Sequence, residues 1–503
     1  MQKLIVSALA AVMALSASAA KKSAAKLQFD ASKGVAGSVE MPSGRVNYTA
    51  YTKLYFVTNV EDTTYQYVNV FVPEGATQQS PIFLKTNVGG YMPSAPGYPS
   101  ASNATGMALQ RGYVVAIPDS RGRSSYVTKG KKKIYNGKAP AAILDLKAAI
   151  RYLRYVDKEM PGDAEKIITD GTSAGGAMSA LMGATGNNLA YDSDLKAMGA
   201  ADERDDVFAS VCYCPITDLS HADMAYEWLY GQTDSRKAND EAHRQVTKEL
   251  TALFPAYINA YINSLGLKKK DGTLLTADNY LSYIQEELIR SAQIAKDAGV
   301  TIPDSIGFTF SSDKGTFAPV NGGVGLPDLS QLPADMAKNL KEGKLPPKQV
   351  GEYVTGLDMD KYLNYVANKT PLKSAPAFDA LGVAGNEASG ENDEFGDVNN
   401  TPANFTDYSA SKNGKTVSAK VKEEEYLLNP MEQIGQQGVT VAPHWYIRHG
   451  SIDRDTAFPV ALNLATKLEN EGKDVNFLLA WNRPHSGDYA LNELFEWIAE
   501  ITK

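Results

Sequence analysis

Lys166-Ile167-Ile168-Thr169-Asp170-Gly171-Thr172-Ser173-Ala174-Gly175-Gly176 is the stretch from which the rest of the chain is read. Ile167 and Ile168 end a short apolar run suited to a buried strand. Small residues follow at once, and residues 177–181 (Ala-Met-Ser-Ala-Leu) read as a helix that begins near Ala174. Strand, tight glycine turn, helix, with a serine at the apex: this is the nucleophile-elbow arrangement Gly-x-Ser-x-Gly. Ser173 has to sit on a strained turn for its Oγ to stand clear of the backbone, and side chains at Gly171 or Gly175 would collide with adjacent strands. The helix start aims free N–H groups, and the positive end of its dipole, at the serine. A glycine-rich turn with an incidental serine is the bland alternative; the strand before it and the helix behind it favour chemistry.

Working outward, residues 65–73 alternate like a strand with one wetter face, and residues 81–86 are a second strand running into Asn87-Val88-Gly89-Gly90-Tyr91. Glycine pairs in that place let backbone N–H groups face a ligand. Residues 112–118 and 207–215 are buried strands. Residues 140–155 are a helix, with Ile143, Leu146, Ile150 and Leu153 at three- and four-residue steps. Residues 445–450 and 475–481 are strands, and 458–469 and 491–501 are helices. Strands alternating with helices imply a mostly parallel sheet covered on both faces. With the elbow, the fold class is α/β, specifically an α/β-hydrolase fold. Its core is split into residues 38–230 and 429–503. Between them, residues 231–428 change character to charged amphipathic helices (239–253, 280–298, 340–354) in Gly-, Pro- and Asp-rich loops. That segment is expected to be an inserted, mainly helical lid domain.

The chain has 503 residues and a formal net charge of -8, which argues against a nucleic-acid or anionic-membrane partner. With 27 Tyr against 15 Phe, it is rich in the aromatic that is both apolar and hydrogen-bonding, which suits either a polar-ring cleft or a tyrosine-rich surface. Residues 1–19 are expected to be a signal peptide: Lys3, an apolar run over 4–15, and Ala17-Ser18-Ala19 as the cleavage site. The run is too short to span a bilayer, and no cysteine follows it to carry a lipid anchor. Export to the periplasm or medium follows, and cleavage would remove only Lys3 among the charged residues. Residues 20–37 are small and polar and are expected to be loosely ordered. The only cysteines, Cys212 and Cys214, lie two apart on one strand. They are too close for an unstrained disulfide and, with no soft ligand near in sequence, are expected to be buried side chains without a metal.

A serine hydroxyl needs a base, and the base needs an acid to hold its tautomer. Of the five histidines, His221 follows a strand by several residues, His243 lies on a polar helix, and His444 and His449 bracket a strand. His485 alone lies in a loop past the last strand, flanked by Pro484 and Gly487, where this fold presents its base. The order Ser173, then Asp453, then His485, each after a strand, is that of the fold. Asp453 and Asp455 share one loop. Asp453 stands nearer the strand, while Asp455 can orient the base, meet substrate or cap the following helix.

Several longer motifs resemble bacterial tannase of the Lactobacillus type. They are Asp170-Gly171-Thr172-Ser173-Ala174-Gly175-Gly176 with Gly183-Ala184-Thr185-Gly186-Asn187, Asn87-Val88-Gly89-Gly90-Tyr91, and His221-Ala222-Asp223-Met224-Ala225-Tyr226-Glu227-Trp228. To these add Pro376-Ala377-Phe378-Asp379, Glu391-Asn392-Asp393-Glu394-Phe395-Gly396, Arg448-His449-Gly450 with Arg454-Asp455-Thr456, and Pro484-His485-Ser486-Gly487-Asp488-Tyr489. The likeness runs from about residue 46 through core and insert. It implies a serine esterase for galloyl esters with Asp453 as the acid. It also implies that Asp455, Lys373 and Glu391 contact the galloyl hydroxyls. The stretch between Lys373 and Glu391 is longer than the family's, which leaves Glu387 as an alternative glutamate. The reading is therefore an exported ester hydrolase acting on a small phenolic ester with no cofactor. Backbone N–H groups of Ala174 and of Gly89 or Gly90 would receive the oxyanion. A feruloyl-type or general carboxylesterase is the alternative.

Overall fold

The computed structural model describes residues 27–312, 353–382 and 388–503. The expected signal peptide, Glu387 and most of the helix expected at 340–354 lie outside them. Thirteen strands are present among the described residues: β1 (Val35–Met41), β2 (Gly44–Tyr55), β3 (Tyr67–Pro73), β4 (Pro81–Lys85), β5 (Val114–Pro118), β6 (Tyr126–Lys129), β7 (Lys132–Tyr135), β8 (Asp163–Thr172), β9 (Ala209–Tyr213), β10 (Phe308–Ser311), β11 (Tyr353–Leu357), β12 (His444–Gly450) and β13 (Asp474–Ala480). Nine of them form one sheet in the order β1-β2-β3-β5-β4-β8-β9-β12-β13. It is antiparallel from β1 to β5 and parallel from β5 to β13. This is the α/β-hydrolase architecture.

Successive strand residues point to opposite faces, and the central strands are apolar on both. On one face Ile82, Leu84, Ile167 and Cys212 pack with the helices Ala141–Tyr155, Ala174–Ala184 and Phe458–Asn470. On the other, Phe83, Ile168, Val211 and Tyr213 pack with the helices Ala104–Gln110 and Leu491–Ile501. The near-continuous apolar runs noted in sequence are what a doubly covered parallel strand requires.

Two expectations change here. Part of the segment expected to be loose is strand β1, paired along its length with β2. Only Val39 and Met41 are buried along β1, so its hydrophobic signal is weak. Val354, expected to end a helix, lies in β11, which pairs with β10 as a small antiparallel sheet separate from the nine-stranded one.

The inserted segment leaves the sheet after β9 and returns at β12, and these two strands are hydrogen-bonded neighbours. The chain between these strands contains the helix Leu219–Tyr230, which precedes residues 231–428, and within that insert the helices Glu241–Tyr257, Ala277–Asp297 and Met359–Lys369. Part of it lies directly on the core: Arg290 donates to the Phe477 carbonyl of β13 at 2.8 Å, and the Tyr280 hydroxyl to Asn463 at 2.6 Å. One hydrophobic cluster runs through both regions, from Ile167 and Leu479 to Tyr280 and Tyr362.

The glycine requirement at the elbow is steric. A Cβ at Gly171 would stand 2.1 Å from the Gly175 carbonyl oxygen, and one at Gly175 would stand 2.6 Å from that of Val88. The first obstacle at Gly171 is thus the elbow's own helix rather than a neighbouring strand. Gly171→Ala is expected to lower the unfolding free energy by roughly 1–3 kcal/mol. At Gly89, by contrast, a Cβ would meet nothing within 4 Å, so Gly89→Ala should stay within about 0.5 kcal/mol of wild type. Urea titrations of the pair check this, and equal midpoints for the two variants would contradict the packing account.

Candidate active site

Ser173 stands between β8 and the helix Ala174–Ala184 with φ 62° and ψ −124°, a backbone conformation that L-residues rarely adopt. Its own N–H is spent on the Tyr213 carbonyl at 2.9 Å, which holds the turn against β9. Its Oγ is 2.8 Å from His485 Nε2, and His485 Nδ1 is 2.7 Å from Asp453 Oδ2. Ser173, 312 positions from His485 in sequence, thus joins His485 and Asp453 in one unbroken hydrogen-bonded chain. Asp453 is fully buried, and its other oxygen accepts the Asp455 N–H at 2.8 Å. Burial alone would raise the Asp453 carboxyl; the imidazoles of His449 and His485 and the Asp455 N–H outweigh it and hold the acid below its ordinary pKa. Burial likewise works to lower His485, but the hydrogen bond and charge of Asp453, helped by the charge of Asp455, win and raise it; Lys373 opposes them.

The turn after β4 lies against the start of the elbow's helix, where the Val88 carbonyl oxygen would stand 2.6 Å from a Cβ at Gly175. The Gly89 carbonyl accepts the Met92 N–H at 3.0 Å, and the two central residues, Gly90 and Tyr91, have φ of 55° and 57°. The Tyr91 hydroxyl anchors the turn by donating to the Ile216 carbonyl at 3.2 Å. Gly89 and Gly90 leave the space beside the turn open, and the N–H of Ala174 is the first of a helix and has no intrahelical acceptor.

Two supports escaped the sequence reading. Lys85, at the end of β4 and 5% exposed, donates from Nζ to Asp170 at 2.6 Å and to both oxygens of Asp488 at 3.1 and 3.0 Å. Asp170 precedes the elbow and Asp488 follows His485, so one ammonium ties the serine strand to the histidine loop. Burial pushes Asp170 up to about 6 even with Lys85 beside it, while the two carboxylates keep Lys85 charged. The second support holds the acid loop. Tyr226 donates to the Arg454 carbonyl at 2.6 Å, Tyr230 to that of Asp453 at 2.8 Å, and Tyr362 to that of Ser451 at 2.8 Å. Tyr362 comes from the inserted segment, and Tyr226 and Tyr230 from the helix Leu219–Tyr230 that leads into it. Several of the tyrosines conspicuous in composition are therefore interior props, neither a surface nor a cleft lining.

Lys373 and Asp455 are both near enough for their charges to act on His485. Lys373 Nζ lies 3.8 Å over the Phe378 ring, and Asp455 pairs with Arg454 at 3.1 Å. Asp455 does not cap the helix Phe458–Asn470, whose N-cap is Ala457. Glu391 is half-buried in the short helix Gly390–Glu394 and acts on the Tyr91 phenol, the residue beside Gly90.

The other histidines are accounted for elsewhere. His221 pairs with Asp218 at 2.7 Å and stacks on Tyr257, His243 pairs with its own N-cap Asp240, and His444 pairs with Asp474. His449 is buried 3.8 Å from Asp453, and burial pushes its pKa below the ordinary imidazole value. Cys212 and Cys214 are both free. Cys214 corrects the sequence reading: it lies past the end of β9 with φ 43°, so it does not share a strand face with Cys212. Its thiol donates to the Ser486 carbonyl at 3.0 Å. The fold brings its sulfur within 4.8 Å of ligand atoms of Asp453 and His485, a proximity that sequence distance hides. Burial first, and then the Asp453 charge, push the thiol far up, so it stays protonated.

The family model described as BD-FAE matches residues 68–260. Among solved structures, the chain is similar to the tannase of Fusobacterium nucleatum, with 34% identity, a TM-score of 0.79, and coverage of 95% of this chain and 100% of that one. It is similar to the tannin acyl hydrolase of Lactobacillus plantarum, with 35% identity, a TM-score of 0.77, and coverage of 95% and 99%. A tannin acyl hydrolase in complex with ethyl gallate gives 35% identity and a TM-score of 0.78, again covering 95% and 99%. No curated protein matches the chain.

With His485 as a base, turnover requires its neutral form. The acid limb of kcat/KM is then expected above the ordinary imidazole pKa, with activity lost as pH falls through it. Asp455→Asn removes one of the charges that raise His485, so the limb should move to lower pH. Asp453→Asn should in addition cost roughly four orders of magnitude in turnover by releasing the wrong tautomer. A limb that stays in place in Asp455→Asn would remove Asp455 from the surroundings of the base.

Proposed function

This chain belongs to the bacterial tannase family, a family of carboxylic-ester hydrolases on the α/β-hydrolase fold, and we propose that it is an exported serine esterase that cleaves galloyl esters. The observation that carries the reading is the hydrogen-bonded chain Ser173–His485–Asp453, at 2.8 and 2.7 Å, beside a turn with open space. Ser173 Oγ attacks the ester carbonyl and gives its proton to His485 Nε2. The developing oxyanion takes N–H donors from Ala174 and from Gly89 or Gly90, each worth on the order of 3 kcal/mol. His485 returns the proton to the departing alcohol. Water, deprotonated by the same imidazole, resolves the acyl-enzyme and releases the acid. Asp453 keeps His485 in the tautomer that accepts from serine.

Selectivity for the galloyl ring is assigned to Lys373, Asp455 and Glu391. Three adjacent hydroxyls offer both donors and acceptors; the ammonium can donate to them and the carboxylates can accept. An ester lacking those hydroxyls would leave the three side chains unpaired in a closed cleft, and such sites reject the bare analogue by roughly four orders of magnitude. The inserted segment, residues 231–428, is the proposed lid, since it supplies Lys373 and Glu391. Export rests on Lys3, the apolar run over 4–15 and Ala17-Ser18-Ala19.

Ser173→Ala should abolish turnover of methyl gallate while the protein remains folded. Methyl benzoates with three, two, one and no ring hydroxyls should be hydrolysed in falling order by wild type, and Lys373→Ala should flatten the series. An enzyme indifferent to hydroxyl count, or one that prefers methyl ferulate, would replace the galloyl reading with a general or feruloyl-type esterase.

A further inference from the structure

The loop after β5 contains Arg123, to which the reading above gives no task. Its backbone N–H donates to the Tyr91 carbonyl at 2.8 Å, and its Nε donates to the Gly90 carbonyl at 2.8 Å. The same guanidinium sends Nη1 to Asp393 Oδ2 at 2.8 Å. Asp393 belongs to the short helix Gly390–Glu394, which also carries Glu391. The fit is close on that side: a Cβ at Gly390 would come within 3.3 Å of the Arg123 guanidinium carbon. Lys138 binds the other oxygen of Asp393 at 2.5 Å and Asn400 at 2.7 Å, so the inserted segment is pinned at this point.

We infer that Arg123 is a positioning residue that couples the galloyl-binding helix of the inserted segment to the oxyanion turn. In a tight turn with both central residues left-handed, the peptide between them, here the Gly90 carbonyl with the Tyr91 N–H, is the unit free to flip, and a flip changes the Gly90 and Tyr91 dihedrals on which the shape of the turn depends. The side chain of Arg123 holds that peptide by its oxygen at Gly90. The rigid planar fork lets one guanidinium keep the turn and the helix at a fixed separation, which a lysine ammonium on a flexible stem does not do. A ring gripped through Glu391 therefore draws on the same rigid unit that holds the turn to which the Gly89 and Gly90 N–H groups belong. Remote binding is in this way expressed as a higher kcat rather than a lower KM.

The inference rests on the galloyl-esterase reading, and the test separates the two. Methyl gallate and 4-nitrophenyl acetate, an ester without ring hydroxyls, are assayed on wild type, Arg123→Gln, Arg123→Lys and Asp393→Asn. Inhibition by phenylboronic acid, whose adduct on serine occupies the oxyanion position, is compared with binding of gallate. Arg123→Gln should lower kcat on both esters by roughly ten- to a hundredfold and weaken the boronate by a similar factor. Gallate binding should change less than the boronate does. Arg123→Lys should not restore kcat. Asp393→Asn, which frees only the inserted-segment arm, should lower kcat on methyl gallate while sparing 4-nitrophenyl acetate. Boronate inhibition and kcat unchanged in Arg123→Gln, or equal losses on both esters in Asp393→Asn, would overturn the coupling. A wild-type enzyme that fails to hydrolyse methyl gallate would overturn the reading beneath it.

Discussion

A buried ammonium between two carboxylates fixes the distance on which the candidate chemistry depends. Lys85 sits at the end of β4 with Asp170 on one side and Asp488 on the other. Once buried, such a cation cannot lose a partner cheaply: breaking a buried pair costs about 3–5 kcal/mol. The serine turn and the histidine loop are therefore referenced to one point inside the sheet. Packing reinforces the tie, since a Cβ at Gly487 would fall 1.8 Å from Thr172 Oγ1. The strained backbone of Ser173 persists because its surroundings over-determine it, as unfavourable φ/ψ values at functional sites require. Asp488 also accepts the Ala104 N–H at 3.1 Å, which brings the start of the helix Ala104–Gln110 to the same point.

The acid is held differently. Its loop follows β12, and three phenols from helices between β9 and β12, one of them in the insert, bind its carbonyls. A buried carbonyl left without a donor costs about 1–3 kcal/mol, so the loop keeps this shape only while those helices are docked. The insert is thus part of the framework of the site as well as its proposed roof. Arg123 adds a third tie, from the insert to the turn after β4.

These ties also explain what sequence made legible. The elbow was readable because strand, small-residue turn and helix are local, and each has its own signature. His485 was readable because only one of five histidines follows the last strand. Strand β1 was not, because it lies near the sheet edge and most of its residues face solvent. Lys85, Arg123 and Cys214 were invisible for another reason. The partners of Lys85 lie 85 and 403 residues away, and those of Arg123 lie 33 and 270 away. No periodicity or motif encodes such pairings. Asp453 and Asp455 stayed ambiguous in sequence because two residues of one loop differ only in which way the backbone turns them.

The tyrosine props carry a consequence for anyone reshaping this protein. Trimming or swapping the insert is the obvious way to widen the cleft for bulkier esters, on the view that scaffold and selectivity are separate modules. Here they are not. A graft of residues 231–428 that lacks a counterpart of Tyr362, or one cut earlier that also drops Tyr226 and Tyr230, would remove donors that hold the Asp453 loop, and rate would be lost along with selectivity. A successful chimera has to carry those three phenols across, whatever else it replaces.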